Sequence, residues 1–91
     1  MSWEFESVTP ATLTGETKVV FDDVVNQSVG VRMEPLAFIG KKQDGMTETY
    51  AFIVRKQILS ASKETEPKIV KMLVKAEVVR KVAIEAISDV L

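Results

Sequence analysis

Neither cysteine nor histidine occurs in this chain of 91 residues, and the two absences exclude much of the chemistry a small protein can use. Without cysteine there is no disulfide staple and no thiolate nucleophile. Without histidine, the side chain that titrates nearest neutrality and the commonest metal ligand is missing, so a Cys/His zinc centre is excluded. Three prolines and four glycines are too few for a linker or a low-complexity tract. None of those glycines falls in the spacing of a phosphate-binding loop. No run approaches the roughly 18–20 uninterrupted apolar residues of a membrane-spanning helix. The opening MSWEFESVTP has no basic stretch followed by an apolar one, as a secretory signal has. A cytoplasmic protein without membrane contact is the expectation, and no metal or cofactor is expected in it.

What is present is apolar residue in quantity. At 46% hydrophobic and 27% charged, the composition is that of a folded domain, and residues 1–91 are read as one domain with one core. The net charge of −1 hides a segregation. Residues 1–26 set five carboxylates against Lys18 alone, whereas residues 27–81 carry eleven Lys/Arg against six Asp/Glu. Such a division marks either a basic binding face or an acidic segment lying against a basic sheet.

The strongest local signal is Asp44-Gly45, set between two β-rich runs at 31–42 and 47–58. A turn centred there makes each residue and its partner sum to 89. Lys41 then faces Glu48, Ile39 faces Tyr50, Ala37 faces Phe52 and Glu34 faces Arg55. Val31, Met33, Ala37, Ile39, Tyr50, Phe52, Val54 and Ile58 fall on one side, the expected core side. Pro35 has no N–H to donate, which predicts an edge strand or a bulge in that run.

Residues 14–26 read two ways. Val20, Phe21, Val24 and Val25 have helical spacing behind Thr14 as an N-cap, yet the β-branched content also suits a short strand. After the polar stretch SASKETEP, residues 68–75 alternate, with Val70, Met72 and Val74 on one side. From residue 76 onward the period changes. Glu77, Arg80, Lys81, Glu85, Ser88 and Asp89 occupy half of a helical circumference, and Val79, Val82, Ala83, Ala86, Ile87 and Val90 occupy the other half. The expected architecture is therefore α+β. An antiparallel meander of three to four strands (31–75) carries a C-terminal amphipathic helix (76–91) on one face, behind an acidic segment 1–26.

With residues 15–26 helical, the element order is α-β-β-β-α. KAEVVRKVAIEAI (75–87) resembles, over its 13 residues, the last helix of the double-stranded-RNA-binding domain family, which shares that order. The resemblance implies a nucleic-acid-binding module. It departs from the family where Ala76 and Val79 stand in place of the expected lysines, and where the glycine-bearing loop before the helix is missing.

The expected register leaves a second apolar face. Leu36, Phe38, Ala51, Ile53, Ile69 and Leu73 lie opposite the helix, ringed by Arg32, Arg55, Lys71 and Lys75. That is too much apolar surface for a wet sheet face. Three readings follow from it. Residues 1–26, with Trp3, Phe5 and Phe21, cover the face; or the face meets a second copy of the chain or another protein; or Arg32, Arg55, Lys71 and Lys75 with Phe38 hold nucleic acid. Catalysis has little to draw on, since Asp22-Asp23, Glu64, Glu66 and Lys56 read as solvated or snorkelling charges. The expectation is a non-catalytic interaction or self-assembling domain. Its candidate interface is Leu36, Phe38, Ile53, Ile69, Leu73, Arg32, Arg55, Lys71 and Lys75.

Overall fold

The structure, a computed structural model, describes residues 13–59 and 66–90, the side chains of residues 89 and 90 excepted. One helix, α1 (Gly15–Gln27), precedes four strands: β1 (Val31–Asp44), β2 (Thr47–Ile58), β3 (Lys68–Glu77) and β4 (Ala83–Val90). All neighbours are antiparallel and the order is β1-β2-β3-β4, an α+β fold with a meander sheet.

Of the two readings of 14–26, the structure takes the helix. Val20, Phe21 and Val24 form its buried stripe, while Lys18 and Asp22 pair one turn apart on the outer side at 2.8 Å. Thr14 sits in the extended N-cap conformation, but its side chain makes no capping hydrogen bond. The helical stripe meets Phe38, Tyr50, Phe52, Val54, Val70, Met72, Val74 and Ala76 from the sheet. Phe52 is central. Phe21 approaches it edge-on at 5.2 Å, and the Phe38 ring lies 5.6 Å away. Such ring pairs add stabilisation of about 0.5–1.5 kcal/mol each to that of area burial.

The C-terminal helix expected over 76–91 does not form. β3 continues to Glu77, the chain turns through residues 78–80, and Ala83–Val90 returns as a fourth strand beside β3. With that helix gone, the likeness to the RNA-binding domain loses the element that carried it. The periodicity misleads because Ala83, Ala86 and Ser88 fit a strand face as well as a helix face, and the β-branched Val78, Val79, Val82, Ile84 and Ile87 favour the sheet. The turn also lacks the usual punctuation. No Gly, Asn or Pro marks it; instead Lys81 takes a left-handed φ of 54°. Its N–H closes on the Glu77 carbonyl at 2.8 Å, while the Glu77 N–H reaches the Val82 carbonyl at 3.0 Å.

The first hairpin forms between the expected strands with a shifted tip. Asp44 pairs with Thr47, so the turn residues are Gly45 and Met46 rather than Asp44 and Gly45. Only Gly45 has positive φ, 63°, the pattern of a turn with glycine first. Near the tip the partners are therefore Lys41–Tyr50 and Gly40–Ala51. The ladder then skips Ile39 and Leu36, and after these two irregularities the remainder of β1 pairs as the sequence predicts, Glu34 opposite Arg55. Between the two slips the faces change over. Phe38 comes opposite Phe52 and points into the core, whereas Ala37 comes opposite Ile53 on the far face.

The corrected faces separate two residues sharply. Phe38→Ala should lower unfolding free energy by about 3–5 kcal/mol. Val79→Ser, at a residue 71% exposed in the turn that replaces the start of the expected helix, should cost less than about 1 kcal/mol. Urea unfolding of both variants checks this, and similar losses would contradict the turn through residues 78–80.

Candidate protein interface

The sheet face turned away from α1 is built row by row from the register. Glu34, Arg55 and Ile69 form one row; Ala37, Ile53 and Lys71 the next; then Gly40, Ala51, Leu73 and Ile87; then Lys42, Thr49, Lys75 and Glu85. Large apolar side chains thus follow a bent line, from Ile69 on β3 to Ile53 on β2, back to Leu73 on β3 and across to Ile87 on β4, with charge on either side. Thr49 and Ala51 at its β2 centre are buried, and Ile53 and Leu73 are half-buried. Toward β3 and β4 the face opens: Ile69 is 48% exposed, and Arg55, Lys71 and Lys75 are exposed.

Most of the residues expected at this interface are brought together here. Ile53, Ile69 and Leu73 share the face with Arg32, Arg55, Lys71 and Lys75. Phe38 does not belong, since the slips of β1 put its ring against Tyr50 and Phe52 in the core. Leu36 is one of the two residues the ladder skips and is half-buried. Ile87 was missed because a helical period assigned it to the core; as a strand residue it faces Leu73. The expectation that residues 1–26 cover the face fails for α1, whose Phe21 packs against Phe52 on the other side. Trp3 and Phe5 lie outside the described residues.

The face carries both signs of charge. Arg55 holds Glu34 at 2.9 Å, Lys75 stands 4.0 Å from Glu85, and Arg32 donates to Gln57 at 3.3 Å. These pairs are exposed and each contributes little stability.

A second charged cluster is of a different kind. On the helix side, next to the two hairpin turns, Glu48 is buried with 4% exposure. Its carboxylate accepts a hydrogen bond from the Lys81 ammonium and one from the Tyr50 hydroxyl at 3.5 Å, and Lys41 stands 3.6 Å away. Glu16 of α1 closes the ring, 3.4 Å from Lys81 and 3.9 Å from Lys41. Helix, β1, β2 and the β3–β4 turn thus meet in one network. The hydrogen bond donated to Glu48 holds the Lys81 ammonium above the usual lysine value. Burial, and after it the Glu48 charge, raises the Tyr50 hydroxyl above its ordinary range. An open groove of about 530 Å³ borders the cluster, lined by Gly15, Glu16, Lys18, Val19, Asp22 and Lys81. The charges lining it pair with one another or with the cluster.

Among the described residues no group of three or more carboxylates gathers as a metal site, and no helix is long and apolar enough to cross a membrane. No family model matches the chain, and no curated protein or solved structure is significantly similar to it.

The two raised values have a pH signature. Lys81 and Tyr50 both hold their protons more tightly in the folded chain than in the unfolded one. Their contribution is complete below the unfolded values, about 10.4 and 10, and is lost as pH rises through the folded ones. The thermal midpoint should therefore decline above about pH 10. Tyr50→Phe should shallow that decline, and an unchanged slope in the variant would remove Tyr50 from the account.

Proposed function

We propose that this chain is a non-catalytic self-association domain, in which the face carrying Ile53, Ile69, Leu73 and Ile87 meets the same face of a second copy. The observation that carries the reading is the apolar run that the described residues leave uncovered at both its ends, where Ile69 and Ile87 are 48% and 45% exposed. Apolar side chains clustered on a sheet face favour a contact that removes them from water. The surrounding charge supports a second copy in particular. Arg32, Arg55, Lys71 and Lys75 alternate with Glu34, Glu77 and Glu85 on the same face. A surface with both signs around an apolar centre satisfies a copy of itself rotated about a two-fold axis, and two-fold pairs are the commonest closed assemblies. Two such sheets stack about 10 Å apart with their side chains interleaved.

Nucleic acid is the weaker reading. Phosphate needs a surplus of free cations. Here Arg55 and Lys75 each have a carboxylate partner, and Phe38, the aromatic expected to stack on a base, is in the core.

Sedimentation or light scattering should give twice the monomer mass for the intact chain at micromolar concentration. Leu73→Glu combined with Ile69→Glu should give a folded monomer with an unchanged far-UV spectrum. A monomeric parent, or a dimer that survives both charges, would overturn the reading. A shift of RNA abolished by Arg55→Glu with Lys71→Glu, in a chain that stays monomeric, would put nucleic acid in its place.

A further inference from the structure

The two edges of the sheet are not alike. β1 is interrupted where a neighbour would need it continuous, because Pro35 has no N–H and the ladder slips at Leu36 and again at Ile39. β4, at the other edge, contains no proline, glycine, lysine or arginine between Ala83 and Val90; its ladder slips once, at Ile84, and pairs without interruption from Glu85 onward. At its first residue the outward-facing backbone is already engaged. The Ala83 N–H donates to the Asp23 carboxylate at 2.7 Å, and the Ala83 carbonyl accepts from the Gln27 amide at 3.1 Å. Two α1 side chains one turn apart thus take the place of a fifth strand at that residue. Among the described residues no strand continues their work along the remainder of β4.

The geometry points to this outer edge of β4 as a docking site for an extended peptide of basic–x–apolar–x–basic pattern. The inner edge shows what β4 pairs with. There the register sets Lys71, Leu73 and Lys75 of β3 opposite Asp89, Ile87 and Glu85 of β4, and Lys75 and Glu85 stand 4.0 Å apart. A strand added outside β4 meets the same three residues at the same cross-strand spacing, so the same alternation complements it. Backbone hydrogen bonds along the edge supply the adhesion, and the alternate side chains supply the selection. Paired about Ile87, the β4 of a second copy would set Glu85 opposite Asp89, and its β1 is broken by Pro35 and two slips. The occupant that the inner-edge pattern fits is a basic segment of a different protein. The site shares Glu85 and Ile87 with the self-association face, but its adhesion is distinct, because edge hydrogen bonds lie in the plane of the sheet and the face contact lies across it.

The test uses the full isotope-labelled chain and two synthetic peptides, TVKTLTKVT and TVETLTEVT. The basic peptide should bind saturably, with amide shifts and slowed hydrogen exchange centred on residues 84–88. The acidic peptide should bind about tenfold or more weakly. Glu85→Lys, with an unchanged far-UV spectrum, should narrow or reverse that preference. Should this variant fail to fold, the comparison of the two peptides on the parent chain still decides. Absence of saturable binding by the basic peptide, equal binding of the two, or shifts confined to β1 or to Ile53 and Ile69 would overturn the proposal.

Discussion

The pairing of Lys81 with the buried Glu48 is the contact on which the C-terminal third of the fold turns. A lysine in the left-handed region gives up roughly 1–2 kcal/mol relative to ordinary backbone, and Lys81 adopts that conformation at a turn with no glycine to relieve it. In return its ammonium reaches the Glu48 carboxylate, with Glu16 on its other side. Buried pairs contribute modestly to net stability, because desolvation offsets the Coulombic gain. Their value lies in specificity. Residues 76–90 have apolar spacing that suits a helix and a strand alike, and the conformation of Lys81 separates the two. Once it turns the chain, β4 must lie beside β3, and Ala83 arrives where Asp23 and Gln27 of α1 can bind its backbone.

That contact also explains what could be read in advance and what could not. The core faces of β2 and β3 follow alternation, and Tyr50, Phe52, Val54, Val70, Met72 and Val74 are buried where alternation puts them, whereas Ile58, at the end of β2, is 54% exposed. The stripe of α1 is equally plain in Val20, Phe21 and Val24. The failures come from features with no local signature. A left-handed lysine depends on a carboxylate 33 residues away in sequence, which no window of neighbouring residues contains. The two slips in β1 are of the same kind: Pro35 announces an irregularity, but nothing local says that two residues will be skipped. Each slip inverts the side-chain phase, and Ala37 and Phe38, the two residues between them, exchange faces as a result. For the candidate site, the β2 and β3 contributions (Ile53, Ile69, Leu73, Arg55, Lys71 and Lys75) were legible because those strands are regular. Ile87 was not, since its place depends on the turn at Lys81.

The charge segregation between the first 26 residues and the middle of the chain is partly consumed inside the fold. Glu16 lies between Lys41 and Lys81, and Asp23 binds the backbone of β4. These acidic residues act as latches between helix and sheet, and the basic residues they engage lie on the helix side. The cations of the far face are a separate set with carboxylates of their own, Glu34 beside Arg55 and Glu85 beside Lys75. The sequence-level surplus of positive charge over residues 27–81 is therefore offset in part on that face by Glu34 and Glu85.

The direction of the two shifted groups bears on those two side chains as bases or nucleophiles. A lysine recruited as a base or nucleophile near neutral pH is driven downward, by burial or by a neighbouring cation. Lys81 is driven the other way by the carboxylate it binds, and Tyr50 is raised as well. Each holds its proton more firmly than the free side chain does, so at pH 7 each is further from proton transfer than an unperturbed residue would be. The network that perturbs them is engaged in holding the turn, the helix and two strands together. What the described residues leave uncommitted is shape and pattern: an apolar run ringed by both charges on one face, and an edge strand carrying Glu85 and Ile87. The two proposed contacts would use them differently, the first by burying side chains and the second by extending the sheet.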